Sequence, residues 1–262
     1  MRYMKSIRVF LKALTLSLID VFQKGYMYHS GALTYHFMLA IAPLTIVLLN
    51  ILTFFPLVDV GEIEKFLSGV LPQYTSRIVK EILEVQKRSG ETSFVALMLS
   101  YFFSVGFIKY MGRAFAFVSE GKLGERRELF YWVFMPVFLL AVVVSLSVYF
   151  FISIYIKLVL PLGVLPLLYV FYLIPGTLIL TLLYRSFAKE PPSMKEVFSV
   201  SLLVSFLLSL AQLGFTWYIA NVFRGSLLYG SLSAIVVFLL WSNTLFLMLL
   251  FGARLIYRLK TL

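Results

Sequence analysis

The chain has no cysteine and few carboxylates. Without cysteine, no disulfide, thiolate metal site or cysteine nucleophile can form. Its 12 aspartates and glutamates all lie outside the long apolar runs. Carboxylate proton relays and metal-dependent phosphodiester hydrolysis need such groups at the site of reaction. We therefore expect no catalytic residue, no metal and no cofactor, and we do not expect an enzyme.

Apolar residues, in contrast, dominate the composition. Hydrophobic residues make up 61% of the chain and charged residues only 13%, whereas globular domains have an apolar share of about 45–50%. Runs of about 20 apolar residues, enough to cross a hydrocarbon core of about 30 Å, recur along the chain. The pattern predicts an all-α polytopic membrane protein, a single integral-membrane domain over 1–262. Its six predicted transmembrane helices are about 31–55, 92–112, 130–157, 161–184, 197–220 and 228–256.

Two segments outside these spans have a helical pattern of their own. Residues 1–30 place Leu11 and Leu18 on one apolar face with Lys12 largely opposite, which is typical of an amphipathic helix lying in the membrane interface. Residues 56–91 combine an apolar stripe with oppositely charged pairs four residues apart. We interpret them as an extracytoplasmic helical segment.

The distribution of positive charge predicts the orientation. Most Lys and Arg residues lie in the N-terminal segment, the loop after the second span, the 185–196 linker and the C-terminus. The positive-inside rule then puts both termini in the cytoplasm, and we expect a multi-pass protein of the cytoplasmic (inner) membrane. The net charge of +11 is explained by this asymmetry and by attraction to anionic lipids, so we do not expect nucleic acid as a partner.

Basic residues near the predicted inner face are candidates for substrate binding. We hypothesise that Lys109, Arg113 and Arg254 line a cavity that receives an anionic lipid headgroup, with His36 as a further candidate. The alternative for the cations is that their long side chains extend to the interface. The alternative for His36 is a hydrogen bond between helices.

Proline marks two of the spans. Pro43 lies in the first span, and Pro175 with Gly176 lies in the fourth. If the two halves of three spans were duplicated, their topologies would be inverted, as in many transporters, and interrupted helices would flank the binding cavity. The alternative is that each proline makes an ordinary packing kink.

Small residues favour close packing around the sixth span. Ser226, Gly230 and Ala234 are spaced four residues apart, a pattern that lets membrane helices approach closely. Gly252 is a further candidate packing position. Trp241 lies near the middle of the span, which argues against a role as an interface anchor.

Two stretches resemble the signature regions of the YihY/BrkB-like family of bacterial membrane proteins. They are "GALTYHFMLAIAPL" at 31–44 and "YGSLSAIVVFLLW", followed by "FGARL", at 229–255. The resemblance extends over essentially the whole chain. The matching positions are Gly31, Ala32, Tyr35, Pro43, Tyr218, Tyr229, Gly230, Ser231, Leu240, Trp241, Gly252 and Ala253.

The chain departs from the family pattern at two points. Family members usually carry a glutamate after the final Gly-Ala pair, where this chain has Arg254, and a Gly-Ala pair that commonly opens the fifth span is missing. The resemblance implies a link with envelope integrity, virulence and transport of lipids or lipopolysaccharide precursors. The family's earlier ribonuclease label has no support in these residues.

Three functions remain as alternatives. The first is a transporter or flippase-like protein that handles anionic lipids or lipid-linked envelope precursors. The second is a structural or regulatory envelope-integrity protein that docks an envelope protein partner through residues 56–91. The third, an integral-membrane enzyme built around His36, has no supporting spacing. The sequence does not set the oligomeric state.

Overall fold

The computed structural model describes residues 2–52, 94–121, 126–159, 165–188, 193–221 and 232–262. Within these ranges the elements are seven helices and no strand. In chain order they are α1 (Arg2–Gln23), α2 (Tyr26–Leu52), α3 (Phe94–Val118), α4 (Glu128–Val159), α5 (Leu165–Phe187), α6 (Met194–Asn221) and α7 (Leu232–Thr261).

The helix positions agree with the apolar runs. Each of the six predicted spans falls on one of the helices α2 to α7. Two stretches in the described residues, Met194–Ile219 and Ile235–Thr261, are long and apolar enough to cross a membrane. Residues 56–91, predicted as an extracytoplasmic helical segment, lie outside the described residues.

The N-terminal helix is shorter than the predicted segment 1–30. It ends at Gln23, and a new helix begins at Tyr26. Gly25 lies between them with φ of 72°, a left-handed conformation that glycine adopts without steric cost. Residues 26–30 therefore form the start of α2, the helix that contains the first predicted span, and are not part of α1.

Helices α2 and α3 pack side by side and run antiparallel. At one end the hydroxyl of Tyr26 donates to the carbonyl of Val118 at 3.4 Å. Further along, the ring of Phe37 lies 5.4 Å from that of Phe107. This pairing places the first half of α2 beside the second half of α3.

Helix α7 is the central element of the described bundle. It contacts α1, α2, α3 and α6, and every residue from 251 to 257 is buried. Gly252 lets it approach its neighbours, because a Cβ there would collide with the Tyr184 hydroxyl and lie 2.7 Å from Val204 Cγ2. Tyr184 also donates a hydrogen bond to the carbonyl of Leu249 at 2.9 Å.

Neither of the two prolines interrupts its helix in the structure, in contrast to the predicted interruptions. Helix α2 continues through Pro43, and α5 continues through Pro175. A proline removes one backbone donor and bends a helix, but it need not end it. Gly176 instead marks a close approach, since a Cβ there would lie 3.1 Å from Ser205 Oγ on α6.

Candidate functional site

A groove with a volume of about 350 Å³ lies between α2, α3 and α4. Its lining divides into a polar end and an apolar wall. The polar end is formed by His36, Lys109, Tyr110, Arg113 and Glu128. The apolar wall includes Leu39, Phe102, Phe103, Val105, Phe107 and Trp132, with Gly106 between the aromatic residues.

The polar end is held together by an ion pair and by ring contacts. Lys109 Nζ donates to both carboxylate oxygens of Glu128, at 2.7 and 2.5 Å. The ring of His36 stacks on that of Tyr110, with centroids 3.3 Å apart, and the Arg113 guanidinium lies 5.2 Å from the centroid of the Tyr110 ring. Because Lys109 and Arg113 are one helical turn apart, α3 presents both cations to the same groove.

The apolar wall continues from this polar end along α3 and α4. The Tyr101 hydroxyl donates to the backbone carbonyl of Trp132, which ties the start of α4 to α3. The Trp132 ring lies 6.1 Å from that of Phe102, and Phe102 is 59% exposed. The groove therefore joins a cationic end to an open aromatic surface.

A second charged group, which we call the Arg254 cluster, consists of Asp20, Lys24, Glu120, Arg254, Tyr257 and Arg258. Arg254 Nε donates to Asp20 Oδ2 at 2.6 Å, and its Nη1 donates to Glu120 Oε1 at 3.0 Å. Arg258 Nη2 donates to the same Asp20 oxygen at 2.7 Å. Only 1% of the Arg254 side chain is exposed, so these ion pairs compensate the burial of its charge.

The end of α3 positions Glu120 for this cluster. The amide of Gly121 donates to the Ala116 carbonyl at 2.8 Å, and that of Glu120 donates to the Phe117 carbonyl at 3.2 Å. These bonds form the Schellman motif, whose left-handed position is usually a glycine. Glu120 occupies it with φ of 52°, which directs its carboxylate to Arg254 and to the Tyr257 hydroxyl, 2.7 Å away.

Both carboxyl groups of the cluster have lowered pKa values. Burial alone would raise the pKa of Asp20, but hydrogen bonds from Arg254 and Arg258 outweigh it and keep the pKa below its usual value. The hydrogen bond from the Tyr257 hydroxyl, followed by that from Arg254, lowers the pKa of Glu120 to about 2. Both carboxylates are therefore ionised at neutral pH.

The structure brings together three of the four predicted binding residues. His36, Lys109 and Arg113 line the groove, whereas Arg254 lies in its own cluster and is held by two carboxylates. The sequence places Arg254 with the other cations because all three lie near one predicted membrane face. Its acidic partners are 234 and 134 residues away along the chain.

Sequence reasoning missed Asp20, Glu120 and Glu128. The sequence held a usable signal for Asp20, because this residue lies on the same side of α1 as the small residues Ala13 and Ser17. In the structure all three side chains are buried. The groove partner Glu128 had a weaker signal. It opens α4 after a short basic loop, with nothing in the spacing to connect it to Lys109.

The remaining predicted positions divide by where they lie. Pro175 is buried in α5 and is not among the groove residues. Trp241 is buried, with its ring 5.3 Å from that of Phe215. Ser226 and Gly230 lie outside the described residues, as do the side chains of Pro43 and Ala234.

Four buried hydroxyls lie on α5 and α6. Thr177, Thr181, Ser201 and Ser205 are all at least nine-tenths buried, and within the described residues their hydroxyl oxygens have no hydrogen-bond partner. Elsewhere in the bundle, Ser17 and Thr34 donate to the carbonyl four residues back, at 2.7 and 2.8 Å. In the described residues the four hydroxyls make no such hydrogen bond to a backbone carbonyl.

The long apolar helices and the composition define the class as a helical membrane protein. A family model described as Virulence factor BrkB matches residues 20–261, so the chain belongs to that family. The resemblance drawn from the two signature stretches is thereby confirmed.

Curated relatives are likewise named as membrane proteins. A UPF0761 membrane protein of Haemophilus influenzae (strain 86-028NP) is 26% identical over 238 residues, which cover 86% of this chain and 87% of the relative. A UPF0761 membrane protein of Chromobacterium violaceum is 27% identical over 236 residues, covering 86% of this chain and 56% of that longer relative. No solved structure matches the chain.

Proposed function

We propose that this protein is a multi-pass transporter or flippase-like protein of the cytoplasmic membrane that handles anionic lipids or lipid-linked envelope precursors. The groove between α2, α3 and α4 is its headgroup site. One observation carries the proposal: the groove joins Lys109, Arg113 and His36 to an aromatic wall. A phospholipid has the same two-part chemistry, with a charged phosphate attached to apolar chains.

The two ends of the groove would have separate tasks. Lys109 and Arg113 would bind the phosphate, the guanidinium through paired N–H donors. His36 would add a hydrogen bond from the α2 side. Phe102 and Trp132 would contact the upper part of an acyl chain, and the exposure of Phe102 suits contact with the lipid phase.

The orientation of α1 supports a membrane setting. Its buried side, with Ala13, Ser17 and Asp20, faces the bundle. Leu11 and Phe22 are exposed, at 54% and 72%. An amphipathic helix that packs one side on protein and exposes large apolar residues on another can place these residues among the lipids. In our proposal α2 to α7 cross the membrane and both termini are cytoplasmic.

The mechanism needs no catalytic residue or cofactor. The protein would lower the barrier for moving a headgroup by replacing its hydration with the fixed charges of the groove. The driving force would be a gradient, a partner or downhill flow of the lipid. Partners in this proposal are anionic membrane lipids and an envelope protein, without nucleic acid.

Reconstitution tests this function directly. Vesicles of phosphatidylcholine with fluorescently labelled phosphatidylglycerol would receive the purified full chain, and a membrane-impermeant quencher would report exchange between leaflets. We expect faster exchange than in protein-free vesicles and a loss of most of this gain in the Lys109→Gln/Arg113→Gln variant. The matched control is Lys195→Gln/Lys260→Gln, which removes two exposed cations that do not line the groove.

Two outcomes would contradict the proposal. One is exchange no faster than in protein-free vesicles. The other is exchange that the groove variant leaves unchanged. Absence of exchange together with a co-purifying envelope protein that depends on residues 56–91 would instead favour the structural or regulatory function.

A further inference from the structure

Building on the proposed headgroup site, we infer that Glu128 determines headgroup selection. The groove would accept phosphodiester headgroups that carry one negative charge and disfavour phosphomonoester headgroups that carry two. Glu128 would thus be a specificity-determining residue of the groove. The contacts of Lys109, the charge balance and the position of Glu128 at a helix end support this inference.

The first support is the geometry of the Lys109–Glu128 pair. Both carboxylate oxygens lie within hydrogen-bond distance of Lys109 Nζ, and both side chains line the groove. Lys109 is 32% exposed and Glu128 is 60% exposed, so an entering headgroup can reach the pair. Arg113 packs against the ring of Tyr110 instead.

The second support is the charge balance. With His36 neutral, Lys109 and Arg113 contribute two positive charges and Glu128 one negative charge. The net charge of one matches a single phosphodiester. A phosphomonoester carries between about 1.5 and 2 negative charges at neutral pH, so its additional charge would lie beside the Glu128 carboxylate and be repelled by it.

The third support is the position of Glu128 at the start of a long helix. It is the first residue of α4, a helix of 32 residues, where a carboxylate is favoured by the helix dipole. Replacing Glu128 with a neutral side chain leaves Lys109 without its acid and removes that anion from the helix end. Both changes favour a second negative charge on the ligand.

The experiment compares two lipids that differ in headgroup charge. The purified full chain would be incubated at pH 8 with equal amounts of dioleoyl phosphatidylglycerol and dioleoyl phosphatidic acid, and the bound ratio read by native mass spectrometry. We expect the wild type to retain phosphatidylglycerol preferentially. Glu128→Gln should shift the ratio roughly fivefold toward phosphatidic acid, as expected for removing one charge at a partly exposed site.

Two further variants make the result specific to this carboxylate. Glu128→Asp keeps the charge and should keep the wild-type preference. Glu196→Gln changes a glutamate in the first turn of α6, away from the groove residues, and should also leave the ratio unchanged. Equal thermal unfolding midpoints would show that all variants are folded.

The outcomes separate this inference from the proposed function. Preferential retention of phosphatidylglycerol that Glu128→Gln does not alter would overturn the inference alone, provided that Lys109→Gln/Arg113→Gln releases the lipid. Retention of neither lipid by the wild type would overturn both the headgroup site and the inference. A wild type that already prefers phosphatidic acid would also overturn the selection by Glu128.

Discussion

The groove and the Arg254 cluster both contain basic residues, yet the surroundings of these residues are opposite. In the cluster, Arg254 is 1% exposed and is bound by two carboxylates. In the groove, Lys109 is 32% exposed and is paired with one carboxylate, that of Glu128, while Arg113 contacts the ring of Tyr110. A cation whose hydrogen bonds are saturated inside the protein stabilises the fold. One that faces an open groove remains available to a ligand.

This difference shows what a basic residue near a predicted membrane face can be. The type of a basic residue and its depth along a span are compatible both with stabilising the fold and with binding a ligand. The deciding property is the number of acids that the folded chain brings to it.

Replacing Arg254 should destabilise the protein most. Arg254→Gln leaves Asp20 with two cations, Arg258 and Lys24, in place of three, and leaves Glu120 without its buried partner. Removing one partner of a buried ion pair costs about 3–5 kcal/mol. Thermal unfolding of the purified protein in detergent should show a large fall in midpoint. The double variant Asp20→Asn/Arg254→Gln should recover part of this loss, because the carboxylate that has lost its most buried partner is removed as well. If the unfolding midpoint of Arg254→Gln equals that of the wild type, the distinction between the cluster and the groove is wrong.

Two glycines test packing near the two sites. Gly252→Ala should cost about 1–3 kcal/mol, because overpacking forces neighbouring side chains to move and the new Cβ would collide with Tyr184 and Val204. Gly106 lines the groove, and a Cβ there meets no atom within 4 Å. Gly106→Ala should therefore leave the unfolding midpoint unchanged or slightly raised. Equal destabilisation by both substitutions would contradict the packing difference.

Acid should weaken the Arg254 cluster. The folded-state pKa of Glu120 is about 2, against an ordinary value of 4.5, and that of Asp20 is lowered too. A group with a lowered folded-state pKa contributes stability above its unfolded pKa and loses it as the pH falls through the folded pKa. The unfolding midpoint should therefore fall between about pH 4.5 and 2. In Glu120→Gln this fall should be shallower, and an unchanged pH profile would argue against the role of Glu120.

The groove cations should contribute least to stability. Exposed ion pairs contribute about 0–1 kcal/mol, so Lys109→Gln/Arg113→Gln should change the unfolding midpoint by a few degrees at most. The same variant should lose most of its retained phosphatidylglycerol. Unfolding and lipid retention measured on one preparation separate the two effects. A large loss of stability would place these residues in the same structural role as Arg254.

The sequence predicts the helices well and the charged contacts poorly, for a physical reason. A membrane helix satisfies its backbone hydrogen bonds within one continuous segment, so its position can be read from local composition. The Asp20–Arg254 contact depends on packing between helices at opposite ends of the chain. The position of Glu120 depends on a left-handed helix cap, which a glycine usually occupies. Lys109 and Arg113 lie one helical turn apart on α3, so the sequence alone shows that they are neighbours, whereas their acid Glu128 lies on another helix.

The ion pair between Asp20 and Arg254 has a consequence for biogenesis. A ribosome makes α1 before α7, so the buried acid of α1 has no Arg254 to bind until α7 has been synthesised. In our proposal α1 lies on the membrane surface until then, through its exposed leucines and Phe22, with Asp20 still hydrated. Emergence of α7 supplies the missing cation and fixes α1 against the bundle. Completion of α7 would thus be the event that joins α1 and the bundle into one folded unit.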